Sequence, residues 1–338
     1  MAAGGRRNWK AGRLPCELMN VERSDRVIDK DCNRREFLKQ TAAGVALAAT
    51  GTAAFSQDST ASPQMPMVQL GSHRVSRLMV GSNPMLGYSH TSALLSRLMM
   101  DYYTLENMGR VLERCLELGI NTWQSSAHEK VDKTLEGLRS RGRDIQWIFL
   151  ANNPHLQDAE ALKEVIRQNK PIAVVHHGQV TDRLWREGQV EKAHDFVKRV
   201  QDLGVMAGLS SHNPAVIRHA ESHDWKPDFY MTSFYRDSRS REELKTQLNE
   251  APLGEVFLAS DPPLMCEAIR EVKRPCLAFK ILAAGRNCER AEQVASAFEY
   301  AFRNIKRSDA VIVGIFPQYQ DQALEDAKLA MQFSALSQ

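Results

Sequence analysis

The chain lacks any pair of cysteines at metal-ribbon or redox spacing. Its six cysteines are scattered over 338 residues, at positions 16, 32, 115, 266, 276 and 288. That excludes a zinc ribbon and a small disulfide-framed fold. An oxidising compartment would permit one bridge, Cys276–Cys288. The chain also lacks an apolar run of membrane-spanning length, since the Ala/Gly/Thr-rich stretch 41–55 is too short to cross a bilayer. Charge imbalance is missing as well. The formal net charge is +3, and residues 1–56 alone hold ten Lys/Arg against six Asp/Glu, leaving 34 against 35 in the rest. A near-neutral body gives no reason to expect nucleic acid or an anionic membrane surface as partner. Finally, no Gly-rich dinucleotide turn follows the first predicted strand of the body, because residues 81–87 read GSNPMLG rather than GxGxxG.

What is present begins with a leader. Asn33-Arg34-Arg35-Glu36-Phe37-Leu38-Lys39 resembles the twin-arginine signal of bacterial export. The short apolar run follows it, and Ala54-Phe55-Ser56 places small residues where a signal peptidase cuts. This order of charge, apolar run and cleavage site predicts export by the twin-arginine translocation machinery to the periplasm or the exterior. It leaves no stable membrane span after cleavage. Met19 is a candidate start, and residues 57–66 are rich in Ser, Pro and Gln, as in a flexible tether.

From residue 67 the pattern changes to regular alternation. Met67–Leu70 and Arg74–Leu78 flank Gly-Ser-His and predict a small hairpin. Predicted strands follow at 78–81, 120–123, 146–151, 172–175, 206–209, 229–232, 276–279 and 310–314. Helical periodicity marks 104–118, 131–140, 158–168, 190–203, 214–222, 263–272, 290–305 and 320–333. Eight βα units in one stretch imply parallel strands and a single closed (β/α)8 TIM barrel over residues 67–338. The stretch Leu118–Glu129 shows the unit in miniature: a helix end, Gly119, an apolar strand and then a polar loop.

In a barrel the chemistry lies past the C-terminal ends of the strands. The polar residues there include Asn83 and His90 after strand one, Gln124 and His128 after strand two, and Asn152 after strand three. His155 also follows strand three, His176 and His177 end strand four, His212 follows strand five, and Lys280 ends strand seven. Six of the ten histidines fall in this set. Imidazoles there serve as proton donors, hydrogen-bond donors or metal ligands. His176 ends the apolar run Ala-Val-Val and is the first choice for a catalytic group, with His128 and Lys280 beside it. His176 and His177 point to opposite sides of an extended chain, so at most one faces the mouth. Lys280 faces it if Cys276 and Ala278 do. Asn83, His90, Gln124, Asn152 and His212 are the candidate substrate contacts for a small molecule.

These residues also resemble a family. Leu70-Gly71 through Leu78, Leu118-Gly-Ile-Asn-Thr-Trp123, Ala173-Val-Val-His176, Gly208-Leu-Ser-Ser211, Ala278-Phe-Lys280 through Gly285 and Ile312-Val-Gly314 are similar, in order, to segments of the aldo/keto reductases. The resemblance covers about residues 67–333. It implies a barrel, NADP- or NAD-dependent reduction of a small carbonyl or sugar-like substrate, and His176 as the active-site histidine. It implies cofactor contacts at Ser210, Ser211, Gly314 and Gln318. The chain departs from the pattern where the chemistry is done. Gln124 stands for the aspartate, Glu129 for the tyrosine, and Asn152 or Asn153 for the lysine, while no Arg or Lys occurs in residues 316–320. Two other readings stay open. One is a lyase, isomerase or hydrolase with a divalent metal on some of His90, His128, His176 and His212, although Glu129 is the only acid near the first strand ends. The other is a non-catalytic binding protein.

Overall fold

The two-residue alternation and the helical period resolve into the predicted architecture. The computed structural model describes residues 64–337. The leader, its twin-arginine signal and most of the tether lie outside the described residues. Pro66 is not free tether: its carbonyl accepts the Arg77 amide at 2.8 Å, and Met65 is buried.

Strands β1 (Met67–Leu70) and β2 (His73–Ser76) form the antiparallel hairpin. Gly71 turns it with φ +56° and has room for no Cβ, which would meet Met206 Sδ at 2.3 Å. Eight parallel strands then close in the order β10-β3-β4-β5-β6-β7-β8-β9. They are β3 (Leu78–Gly81), β4 (Thr122–Ser125), β5 (Gln146–Ala151), β6 (Ala173–His176), β7 (Met206–Ser211), β8 (Phe229–Ser233), β9 (Cys276–Phe279) and β10 (Ala310–Gly314). The protein is therefore a (β/α)8 barrel.

The surrounding helices are α1 (Ala93–Tyr102), α2 (Leu105–Glu117), α3 (Glu129–Ser140), α4 (Ala159–Asn169), α5 (Gly178–Arg186) and α6 (Glu191–Asp202). They continue with α7 (Pro214–Ser222), α8 (Arg241–Leu248), α9 (Asp261–Glu271), α10 (Ala291–Asn304) and α11 (Gln322–Phe333). Helix α2 shows why these segments fold locally. Thr104 caps its first turn by accepting from the Asn107 amide, and Met108, Val111, Leu112 and Cys115 bury one stripe. Gly119, at φ +81°, ends it and turns the chain toward β4. Each buried aliphatic side chain of that stripe contributes about 1.5–3 kcal/mol relative to exposure.

The core has two shells. Met79, Ile148, Val175, Phe229, Leu277 and Ile312 fill the barrel interior, and Leu70 and Val75 of the hairpin join them from the N-terminal end. Val80, Trp123, Phe149, Val174, Leu209 and Ala278 face the helices. The interior leaves little slack, since a Cβ on Gly208 would lie 2.6 Å from Phe229 Cζ. At the closing seam, the Arg77 guanidinium donates to the carbonyls of Asp309, Ser334 and Lys306 and to Ser337 Oγ, and it lies over the Phe302 ring at 5.0 Å. Four cysteines, Cys115, Cys266, Cys276 and Cys288, are free thiols, so the Cys276–Cys288 bridge is not formed. Among the described residues no helix is long and apolar enough to cross a membrane.

Candidate active site at the barrel mouth

Alternation along β6 decides which histidine reaches the mouth. Val174 faces the helices and Val175 the interior, so His176 faces outward. Its imidazole meets Phe196 of α6 edge-on at 5.3 Å, and its Nδ1 is hydrogen-bonded to Thr181 Oγ1 at 2.7 Å. Burial pushes its pKa down to about 3, which makes it a neutral packing group. The expectation of a catalytic His176 is therefore replaced. The next residue, His177, is the one turned to the mouth. Its Nδ1 is buried and without a hydrogen-bond partner, and burial, with His212 and Lys280 nearby, pushes its pKa down to about 4.

The centre of the mouth is His212, just past β7. Its Nδ1 is 2.8 Å from Asp182 Oδ2 on α5, and its Nε2 is 3.5 Å from Asp237 Oδ1. Asp182 also accepts the His212 backbone amide at 3.0 Å and the Ser211 hydroxyl. A carboxylate accepting at Nδ1 places the ring proton there and leaves Nε2 turned toward the mouth. Burial alone would raise the Asp182 pKa. The hydrogen bonds from His212, Ser211 and Ser238 outweigh it and hold the carboxyl below its usual range. Gly178, the first residue of α5, lets the helix come this close: a Cβ there would stand 2.8 Å from Ser210 Oγ and 3.0 Å from the His212 ring.

Asp237 comes from the loop after β8. That loop is tied down by Arg239, whose guanidinium takes both oxygens of buried Asp261, and by the Arg236 amide on the same carboxylate at 3.1 Å. The Asp237 side chain is fully shielded, and its Oδ2 accepts from Lys280 Nζ. Burial again raises its pKa, but His212, Lys280 and His90 lower it further than burial lifts it. Lys280 reaches the mouth as expected, though by a different route. Cys276 and Ala278 face the helices, and Lys280 turns inward through a left-handed backbone, φ +59°. Its side chain is 6% exposed.

The other expected residues separate into three groups. His90 lies at the rim with φ +54°, 2.8 Å from Glu255 and 3.0 Å from the Asn83 amide. Gln124 is buried at the end of β4 on the inward alternation. Asn152 is half-buried, with its Oδ1 3.4 Å from Nδ1 of His155. His128 is an exposed N-cap whose Nδ1 accepts the Lys130 amide, so it takes no part in the mouth. Among the residues expected at a nicotinamide, Ser210 is buried against Gly178. Ser211 points to the helix layer, and its hydroxyl is engaged by Asp182 and the Asn213 amide. Gly314 is exposed, although a Cβ there would meet Pro84 Cδ at 2.7 Å, and Gln318 is exposed.

Two hollows open beside the cluster. One of about 310 Å³ lies on the rim between His90, the start of α1, Glu255 and Arg286. The other, about 70 Å³, adjoins His212, Ser233 and Asp261.

No family model matches the chain, and no curated relative matches it in sequence. Solved structures are similar in shape. The apo form of Gox0644 is 10% identical with a TM-score of 0.47, covering 81% of this chain and 94% of that one. The glycerol dehydrogenase AKR11B4 from Gluconobacter oxydans is 8% identical at 0.46, over 80% and 97%. The N-acetylmannosamine-6-phosphate 2-epimerase from Clostridium perfringens is 12% identical at 0.40, over 63% and 80%. At such identities and scores these likenesses carry no argument, and the barrel rests on the strand order itself.

Proposed function

We propose that the chain is an enzyme that transfers protons to and from a small carbonyl or polyhydroxy substrate at the β7–β9 side of the barrel mouth. The observation that carries this reading is the buried imidazole of His212, set between the carboxylates of Asp182 and Asp237. In it, Asp182 is a positioning residue that fixes the tautomer, and His212 Nε2 is the general base and acid. Lys280 supplies positive charge for an oxygen that becomes anionic as the proton leaves carbon or a hydroxyl. Neutral His177 completes the ring of groups around the substrate oxygen. The leader read in residues 33–56 supports a site of action outside the cytoplasm.

The test is hydrogen exchange into a panel of small hydroxy-ketones and aldoses in deuterated buffer, followed by NMR. The wild type should label a carbon-bound position of at least one compound. His212→Gln should lower that rate by about a hundredfold or more, whereas His176→Gln should keep it within about twofold, as expected of a residue outside the mouth. Equal rates in His212→Gln and wild type would remove His212 from the chemistry.

A further inference from the structure

The rim and the floor of the mouth meet at His90, Glu255 and Asp237. Each offers one ligand atom, and the three atoms lie within 4.8 Å of one another. Ligands of a single first-row cation, bound at about 2.0–2.2 Å, stand about 3–4 Å apart, so these need to close only slightly. Asp237 provides a second and independent sign. Its side chain is fully shielded, its Oδ2 is taken by Lys280, and its Oδ1, buried 3.5 Å from His212 Nε2, makes no hydrogen bond. With His212 neutral, the oxygen has no donor within hydrogen-bond geometry, and a carboxylate left so at this depth is costly unless a cation is bound there.

We propose that His90, Asp237 and Glu255 form a binding site for one divalent first-row transition cation. One imidazole nitrogen and two carboxylates are a donor set that zinc, manganese or iron accept more readily than magnesium, which prefers oxygen and water alone. The left-handed backbone at His90 aims its ring, and the Arg286 guanidinium holds its carbonyl at 3.1 Å. Asn83 sits on Nε2 at 3.0 Å. By turning its amide it can accept from an Nε2–H, the usual outer partner of a ligating histidine, which leaves Nδ1, 2.8 Å from Glu255, unprotonated to share a metal with that carboxylate. Glu255 is exposed and borders the rim hollow, so the ion has an entry path and open positions toward solvent. The inference does not depend on the proton-transfer reading, because binding is measured without substrate.

The experiment uses the untagged full chain, treated with chelator and desalted. Zinc and, separately, manganese are titrated calorimetrically, with magnesium as the control and elemental analysis of the protein after gel filtration. We expect one equivalent of zinc or manganese. Glu255→Gln and His90→Asn should each weaken it by about tenfold or more, while Glu129→Gln on the exposed start of α3 leaves it unchanged. Glu255 is exposed, so its variant keeps the fold, and thermal melting confirms this. Substoichiometric binding of both metals, or one-equivalent binding that neither variant weakens, overturns the site. Either result leaves the deuterium-exchange test of His212 standing on its own.

Discussion

Replacing Lys280 by Met isolates the charge that the mouth is built around. Met keeps a Cβ at the left-handed position, so the backbone cost at φ +59° is the same before and after. The long side chain still packs near Phe257, over which the ammonium lies at 5.8 Å. What disappears is the positive partner of a carboxylate with no exposed surface. Removing one member of a buried ion pair costs about 3–5 kcal/mol, because the remaining charge is left unmatched. For a domain of this size each kcal/mol lowers the melting midpoint by roughly 2 °C, so the drop should be about 6–10 °C. The same comparison with Asp237→Asn, and with both changes together, closes a double-mutant cycle. The double variant should recover much of the loss, with a coupling energy of about 2–3 kcal/mol. Differential scanning calorimetry with chelator present reads all four proteins free of any bound cation. Additive effects, with coupling below about 0.5 kcal/mol, would refute the claim that the pair is a buried unit rather than two independent contacts.

Arg77→Lys at the seam should also be costly. A lysine has no planar fork to serve three carbonyls and a hydroxyl at once, so a loss of about 2–4 kcal/mol is expected, and a melting midpoint unchanged from wild type would contradict it. For the leader, Arg34→Lys combined with Arg35→Lys should retain the chain in the cytoplasm of a bacterial host, as followed by cell fractionation. Undiminished export of that variant would rule out the twin-arginine route.

Most of the barrel could be read from periodicity. The strands 78–81, 146–151, 276–279 and 310–314 coincide with expectation. Strand β4 starts at Thr122 instead of Ile120, because its inward positions are polar, Thr122 and Gln124, and the apolar run misplaces its ends. Helices α1, α5 and α8 were absent from the reading, the last lying in a segment too polar to show a stripe. The site was legible in part, and its failures have one cause. A parallel strand is buried on both faces, so Val174 and Val175 are both apolar and the pattern carries no phase. Nothing in Ala-Val-Val-His-His tells which histidine turns inward. Asp182 was hidden on the unrecognised α5, and Asp237 in a charged run that reads as a solvated loop. Their signal was present only as acids shortly after a strand end. His212 and Lys280 were found because they sit directly at those ends.

The seam at Arg77 also imposes an order in time. The first barrel strand is made early, yet its partner β10 and all the groups that hold its guanidinium lie between residues 306 and 337. During synthesis the sheet can grow from β3 to β9 but stays an open ribbon with two bare edges until those residues emerge. For this molecule the cylinder is the last thing to exist, and a ribosome that stops thirty residues short yields a sheet in place of a barrel.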